Sequence, residues 1–437
     1  MEPTRVRDIL LIATALAGPG CCGDSDAPSS VRLLPFPPPF RAALAISSDI
    51  DDTETVEEFL AIQDFLCGSG TTPLGPGLGM EVGNSFWFFD ATGATEVAWF
   101  SDDAGTPSLA ATTLEELIAA GFVDVLHSWG DFSEGGFRRE YAERGARELA
   151  AIEQRTGRRI RVWVNHGNPR NSQSVGPLPS QLGDNPESSA HHTDLLRECG
   201  IRFTHKWEVT RTVGQDAGRS VGDFLRACVS QAWWAARKLC GRLPRGTRRP
   251  FADNVLLHAE ALDDGTRWLS FRRYIGRRRG ISTGGAGVAE LIAPEILDDL
   301  TERGGVMIVY THLGDNDGPP RYLPPETVRA LRGLARRAHA GEILVATTAR
   351  ILAWTASRNF LRWSVREDAA RTVIEIAGFD DPATGFRQPD PGELDGITFA
   401  VKDPSRTRIT VCGQDAKGVV RTKSTVGFPW AALEYPR

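Results

Sequence analysis

Seven short apolar runs recur along this chain of 437 residues, and most of them end on a polar residue that is followed by a loop. The runs cover residues 43–49, 84–90, 123–127, 160–166, 201–205, 306–312 and 343–347. Helical patterns lie between several of them, at residues 53–65, 113–120, 137–156, 191–199, 294–303 and 325–340. Strands that alternate with helices predict right-handed β-α-β units and a parallel sheet that is buried on both faces. Seven strands of this kind fit a barrel as well as an open sheet.

Three carboxylates, Asp49, Asp51 and Asp52, stand within four residues at the end of the first run. Neighbouring carboxylates repel one another unless a cation or a proton lies among them. The ordinary alternative is a solvated acidic turn, or a cap for the helix that follows. Histidines end four of the predicted strands: His127, His166, His205 and His312. Because catalytic groups of β/α barrels collect at this edge of the sheet, the combination predicts a metal or acid–base site there.

The spacing of His127 and Asp131 suggests how an ion would be held. The two residues are four apart, so a helical turn would place both side chains on one face. An aspartate of the first cluster would complete a set of two carboxylates and one imidazole, with open positions for water and substrate. A bound ion would lower the pKa of a water molecule. Another aspartate could take the proton from that water, and His312 could protonate the leaving group.

The order of these motifs resembles that of the polysaccharide deacetylase family over about residues 41–355. The segment Ser48-Asp49-Ile50-Asp51-Asp52 resembles the strand end with paired aspartates that opens the family's pattern. The segment Val309-Tyr310-Thr311-His312 resembles its late strand, which ends in a histidine that acts as an acid. Of the family's two metal-binding histidines, four residues apart, only the first matches, as His127, and Asp131 stands in the second place. The family's middle arginine–proline motif is replaced by residues 165–170.

The resemblance implies a seven-stranded distorted (β/α) barrel and a metal-dependent N- or O-deacetylase that acts on a carbohydrate or cell-envelope glycan. It assigns Asp49 as the base and His312 as the acid. The predicted metal ligands are Asp51 or Asp52, His127, Asp131 and His166, and the predicted substrate contacts are Trp129, Asn168 and Arg170. The expected cofactor is a divalent metal: Zn, Mn, Co or Fe. An aspartate in place of a histidine would favour Mn²⁺ over Zn²⁺, although His166 could restore an imidazole.

Two other functions compete with this interpretation. Asp49-Ile50-Asp51-Asp52-Thr53 also fits the DxDxT loop of haloacid-dehalogenase-like phosphatases, in which the first aspartate attacks phosphorus and Mg²⁺ is bound. Thr311 with Asp315 and Asp317 could then complete that site, but lysines are scarce and the histidines would have no role. The second alternative is a barrel without activity that binds glycan at a cell surface.

The chain divides into four predicted parts. Residues 1–22 resemble an export signal, with basic residues before an apolar run and Cys21 after it, as in a lipoprotein signal. We therefore predict an exported protein, with lipid anchoring as its one route to a membrane. Residues 23–40 are a proline-rich tether, and residues 41–355 are the barrel with an insertion at about residues 206–290. Residues 356–437 carry short β-like segments that predict a small antiparallel β-sandwich.

Charge and loop composition exclude some binding functions. The net charge of −6 argues against general nucleic-acid binding. Basic residues cluster at 242–249 and 272–279, where solvated faces are expected. Residues 218–240 predict a helix within the insertion, and residues 254–274 predict a β-hairpin. The glycine-rich loop 280–287 precedes a helix, but it lacks the lysine of a phosphate-binding loop, so an ordinary loop is favoured over an anion site.

Overall fold

The computed structural model describes residues 31–132, 136–166, 171–176, 178–217, 254–278, 280–316, 322–367, 371–390, 392–422 and 429–434. The signal-like segment, the helix predicted over residues 218–240, Asn168, Arg170 and Asp317 lie outside these described residues. Among the helices of the described ranges, none has the length and apolar character that crossing a membrane requires.

Short strands and longer helices make up the described part of the chain. The strands are β1 (Arg32–Leu33), β2 (Ala42–Ser48), β3 (Thr71–Thr72), β4 (Gly75–Pro76), β5 (Asn84–Phe86), β6 (Phe89–Asp90), β7 (Val123–His127), β8 (Gly130–Asp131), β9 (Val162–Val164), β10 (Phe203–Thr210), β11 (Leu257–Ala261), β12 (Arg267–Tyr274), β13 (Val306–Thr311), β14 (Ile343–Val345), β15 (Leu361–Glu367), β16 (Thr372–Asp381), β17 (Gly385–Arg387), β18 (Thr398–Ala400), β19 (Thr407–Val411), β20 (Gln414–Asp415), β21 (Val419–Thr422) and β22 (Trp430–Leu433). The α-helices are α1 (Val56–Cys67), α2 (Ala111–Ala120), α3 (Arg139–Thr156), α4 (Thr193–Glu198), α5 (Val288–Leu291), α6 (Pro294–Arg303), α7 (Pro325–His339) and α8 (Thr348–Phe360).

A closed barrel of seven parallel strands forms the centre of the molecule, which confirms the predicted α/β barrel. The ring runs in the order β2, β5, β7, β9, β10, β12 and β13, and β13 pairs with β2 to close it. All seven residues of β2 are buried, as a strand covered on both faces requires. Helices α2 and α3 end where Gly121 and Gly157 adopt the left-handed conformation, with φ of 84° and 69°.

The seventh strand of the ring is not the one that the sequence pattern indicates. Residues 343–347 are expected to supply it, but β14 pairs with the first half of β2, while β5 pairs with the last residue of β2. The ring is completed by β12, which the prediction places inside the insertion. The hairpin of β11 and β12 is predicted correctly, but β12 also pairs in parallel with β10 and β13. Strand β12 contains three arginines, which are expected to be exposed, so its sequence does not predict a buried strand. Its other residues are nevertheless buried.

The carboxy-terminal region forms separate sheets, as predicted. One is antiparallel, in the order β1-β18-β22-β21. The other contains β15, β16, β17, β19 and β20, and its β16–β19 pair is parallel, so this sheet is mixed. Strand β1 comes from the segment predicted as a tether, because Val31 is buried in the sandwich core with Ile374 and Phe399. The predicted boundary at residue 355 falls inside α8, which leads directly into β15.

Candidate metal centre

The carboxyl ends of four barrel strands bring the predicted site residues to one place. Asp51 follows β2, His127 is the last residue of β7, His166 follows β9, and His312 follows β13. Parallel strands share this edge, so residues that are far apart in sequence become neighbours. All four strands end within two residues of the position that the sequence pattern predicts.

Three donor atoms from Asp51, His127 and His166 form a compact triangle. His127 Nε2 lies 3.1 Å from Asp51 Oδ1 and 3.1 Å from His166 Nδ1, and His166 Nδ1 lies 3.3 Å from Asp51 Oδ2. Bonds of 2.0–2.1 Å in a tetrahedral site place neighbouring ligands about 3.3 Å apart. The side chains of His127 and His166 are 1% and 10% exposed, whereas Asp51 is 22% exposed and opens towards solvent. This group could therefore hold a divalent ion with a position left for an exogenous ligand.

The charges around the triangle favour an ionised carboxylate and a cation. Burial alone would raise the pKa of Asp51, but His127, His166 and His312 together hold it well below its usual value. Burial opposes the charged form of His166, yet Asp131 and Asp51 raise its pKa to about 10. A metal ion in the triangle would take the place of the proton that this histidine otherwise carries.

Asp131 is close to the triangle but is not part of it. Its Oδ1 lies 3.2 Å from His166 Nε2, the ring nitrogen that faces away from Asp51. The prediction that His127 and Asp131 share a helical face is wrong, because the segment between them is not helical. Ser128 has φ of 55°, Gly130 has φ of 159°, and β8 pairs with β6. A carboxylate at the remote nitrogen of a ligand histidine orients the ring and selects its tautomer.

Asp52 is also separate from the donor atoms. It is exposed, it adopts φ of 67°, and it belongs to neither group of potential ligands found among the described residues. Partial burial, together with the charge of Asp51, raises its pKa. Of the two aspartates that the motif leaves open as ligands, the geometry therefore favours Asp51.

Asp49 and His312 form a second group with Asp51, within 4.8 Å of one another. A guanidinium nitrogen of Arg273 lies 2.6 Å from Asp49 Oδ1, and this positive charge disfavours a second cation beside it. His312 Nε2 lies 3.7 Å from Asp51 Oδ2 and 3.3 Å from the hydroxyl of Tyr310. The group is thus better suited to proton transfer than to holding another ion.

Arg273 and Trp87 are parts of the site that the sequence pattern misses. The Arg273 side chain is 2% exposed and stacks over the Tyr310 ring, with its Cζ 3.9 Å from the ring centroid. It lies in the basic run that is expected to be solvated. The Trp87 ring is buried against both ligand histidines, at centroid distances of 5.8 Å and 5.6 Å. Because six of the eight β12 residues are buried without alternation, no signal in the sequence marks Arg273 as part of the site.

Trp129, His205 and the glycine-rich loop have structural contacts. Trp129 is fully buried and packs on Trp163 and His192, so a substrate contact is not supported. His205 lies inside the barrel, where its Nδ1 is 3.4 Å from Arg273 Nη2. Backbone groups of the glycine-rich loop are hydrogen-bonded to the segment around His312. The Gly285 N–H donates to the Asp315 carbonyl, and the Thr283 carbonyl accepts from the His312 N–H. It supports the His312 loop, as an ordinary loop would.

A comparison with protein-family models, with curated proteins and with solved structures found no match to this chain. The likeness to polysaccharide deacetylases therefore rests on the order of the motifs, on the closed barrel and on the donor triangle.

Proposed function

We propose that this protein is a metal-dependent hydrolase of the polysaccharide deacetylase type, which removes acyl groups from a carbohydrate or a related substrate with a carbon–nitrogen bond. The observation that carries the proposal is the triangle of Asp51, His127 and His166 at the mouth of a seven-stranded barrel. A mixed set of two imidazoles and one carboxylate suits Zn, Mn, Co or Fe. A preference for Mn²⁺ over Zn²⁺ would require Asp131 as a ligand in place of a histidine. Because Asp131 stands outside this set, its carboxylate gives no such preference.

The residues around the triangle have complementary roles in this proposal. A bound ion would polarise the acyl oxygen and lower the pKa of a water molecule. Asp49 would serve as the base that accepts a proton from water, and its ion pair with Arg273 holds the carboxylate in place. His312, on the other side of Asp51, donates a proton to the leaving group. Tyr310 contacts both Arg273 and His312, and so it fixes the acid relative to the base.

The phosphatase alternative fits the contacts less well. Its nucleophile would be Asp49, which is 2% exposed and already bound to Arg273. Its candidate hydroxyl, on Thr311, is fully buried and donates to the Thr283 carbonyl. The Thr311 hydroxyl is thus engaged inside the protein, and the histidine pair would have no use.

We also propose that the protein is exported and that it can be anchored to a membrane by a lipid at Cys21. Its substrate would then be a glycan of the cell envelope. Support comes from the order of basic, apolar and cysteine residues at positions 5–22. Mass spectrometry of the mature amino terminus from membrane and culture fractions tests this proposal. An intact Met1 on the mature protein would contradict it.

The decisive experiment measures metal content and acetate release together. The purified wild-type protein is expected to hold one equivalent of metal and to release acetate from acetylated oligosaccharides only when metal is present. His127→Ala and His166→Ala should each lower the metal affinity by orders of magnitude and abolish turnover, because each removes one of three ligands. Folding should persist, since the site lies at the barrel mouth.

His339→Ala is the matched control, because His339 is an exposed histidine at the end of α7. It should bind metal and turn over substrate like the wild type. A His127→Ala protein that binds metal as tightly as the wild type would end the proposal. Phosphate release that depends on Mg²⁺ and on Asp49 would favour the phosphatase instead.

A further inference from the structure

Two loops that carry parts of the metal centre are joined by a buried network of amide side chains. The first loop follows β7 and carries Asp131, and the second follows β9 and carries His166. Gln173 and Asn171, in the second loop, are 0% and 1% exposed. The large majority of buried side-chain polar atoms in proteins make hydrogen bonds, and these two amides do so.

Gln173 bonds to the first loop with both ends of its amide. Its Oε1 accepts from the Trp129 N–H at 2.8 Å, and its Nε2 donates to the Gly130 carbonyl at 2.7 Å. The same Nε2 donates to Asn171 Oδ1 at 2.7 Å, and Asn171 Nδ2 donates to the Gly130 carbonyl at 3.2 Å. These bonds grip the backbone immediately before Asp131.

The neighbours of Gln173 hold the backbone of the histidine loop. Ser174 Oγ donates to the His166 carbonyl at 3.1 Å. Asn165 accepts from the Val175 N–H at 2.9 Å and donates to the Val175 carbonyl at 2.7 Å. Residues 173–175 are thus bonded to the segment before Asp131 on one side and to the segment around His166 on the other.

The separation of these two loops sets the orientation of the His166 ring. Asp131 Oδ1 is 3.2 Å from Nε2 of that ring, and the opposite nitrogen, Nδ1, faces Asp51 and His127. A displacement of either loop would turn the ring and open the triangle. The Gln173 amide supplies both a donor and an acceptor here, whereas an ionised carboxylate or a thioether in its place would have no proton to donate.

We infer that Gln173, with Asn171, is a positioning residue of the metal centre, which holds Asp131 against His166 so that Nδ1 of His166 points at the ion. This inference rests on the proposed metal-dependent function. Gln173 and Asn171 would then contact neither the metal nor the substrate, and they would still affect the affinity of the site for metal. Changes to groups that orient metal ligands typically lower affinity about 10- to 100-fold.

The test measures the dissociation constant for Zn²⁺ and the absorption spectrum of the Co²⁺-loaded protein for Gln173→Met and Gln173→Glu. Both variants should bind Zn²⁺ at least tenfold more weakly than the wild type and should shift the Co²⁺ bands. Gln173→Glu should bind Zn²⁺ more weakly than Gln173→Met, because its carboxylate would face the Gly130 carbonyl and has no proton to donate to it. Ser174→Ala removes a single bond to the His166 backbone and should give a smaller loss in a variant that folds readily.

Gln63→Met is the matched control. Gln63 is also a buried amide, at 2% exposure, and it donates to the Val82 carbonyl, but it lies on α1 and touches no part of the site. It should lower the free energy of unfolding and leave the Zn²⁺ affinity and the Co²⁺ spectrum unchanged. If folded Gln173→Met and Ser174→Ala bind Zn²⁺ as the wild type does, the inference is overturned. If the wild type itself binds no metal, the proposed function fails instead.

Discussion

At the scale of single residues, the three aspartates after β2 have three different environments. Asp49 is buried and paired with Arg273, Asp51 faces two histidines, and Asp52 is exposed in a left-handed conformation. Asp49 and Asp51 differ in contacts although only one residue separates them, because the chain leaves the strand between them. The same acidic motif therefore places one carboxylate against an arginine, one in the candidate donor triangle and one at the rim.

Asparagine substitutions separate these three roles. Asp49→Asn should keep its metal, since Asp49 is not in the triangle, while turnover falls about 10²- to 10⁴-fold through loss of the base. An asparagine oxygen can still accept from Arg273, so the protein should fold. Asp51→Asn should lose metal and activity together. Measurement of metal content and turnover for each variant tests the assignment.

Asp52→Asn makes the same chemical change at the exposed position and serves as the control. It should retain metal and most of the activity. If Asp52→Asn is inactive while Asp49→Asn turns over normally, the base has been assigned to the wrong aspartate.

At the scale of one element, β7 carries the candidate ligand His127 at one end and a buried carboxylate, Asp124, near the other. Asp124 Oδ2 accepts from the Ala349 N–H at 2.6 Å, in the first turn of α8. Burial nevertheless raises the pKa of Asp124 to about 7. The strand thus places one functional and one structural titrating group at opposite edges of the barrel.

The pKa of Asp124 predicts how stability changes with pH. A carboxylate that titrates near 7 in the folded state, but near 3.9 when unfolded, contributes its full stability below about pH 4. That contribution is lost as the pH rises towards 7, by up to about 1.4 kcal/mol per pH unit. Asp124→Asn removes the titration. The free energy of unfolding of the wild type, minus that of Asp124→Asn, should therefore fall between about pH 4 and pH 7 and level off above pH 7.

Urea unfolding of both proteins at several pH values provides the measurement. Other groups titrate in both proteins and cancel in the difference. A difference that stays constant from about pH 4 to pH 7 would show that Asp124 is ionised throughout in the folded protein.

At the scale of the whole molecule, the sandwich is attached to the edge of the barrel opposite the metal centre. Arg202 precedes β10, and its guanidinium lies 2.7 Å from Asp381 Oδ2 and 2.9 Å from Glu393 Oε1. The three side chains are 11%, 0% and 7% exposed. Because β10 begins at this edge and the site lies at the other, the sandwich contacts the barrel where no donor of the triangle lies.

Removal of Arg202 should lower the free energy of unfolding and leave the affinity for metal unchanged. Arg202→Met leaves Asp381 buried beside Arg387, and Glu393 buried beside Arg387 and Arg161, and this should cost on the order of 3 kcal/mol of unfolding free energy. Metal affinity should not change. Arg408→Met removes an exposed pair with Asp415 in the same sandwich and should leave the unfolding free energy nearly unchanged, because solvent screens an exposed ion pair. Denaturant unfolding and metal titration distinguish the two variants, and a loss of metal affinity in Arg202→Met would contradict the separation.

The sequence by itself determined the class of fold and the edge on which chemistry collects. Apolar runs that alternate with helical patterns have one physical explanation, a parallel sheet covered on both faces, and their polar ends must meet at one edge. Asp51, His127 and His166 are predicted to share a site for that reason, and their donor atoms lie within 3.3 Å of one another.

Only the tertiary structure decided which strand closes the ring and which groups act as ligands. The sequence pattern does not predict β12 as a barrel strand, because an arginine is expected to be exposed. Arg273 is buried instead, since it forms an ion pair with Asp49, a residue more than 200 positions away. Asp131 was misplaced because local spacing implies a helical turn, while pairing of β8 with β6 extends the backbone there. Contacts between distant segments override local preference, and a single sequence carries no record of them.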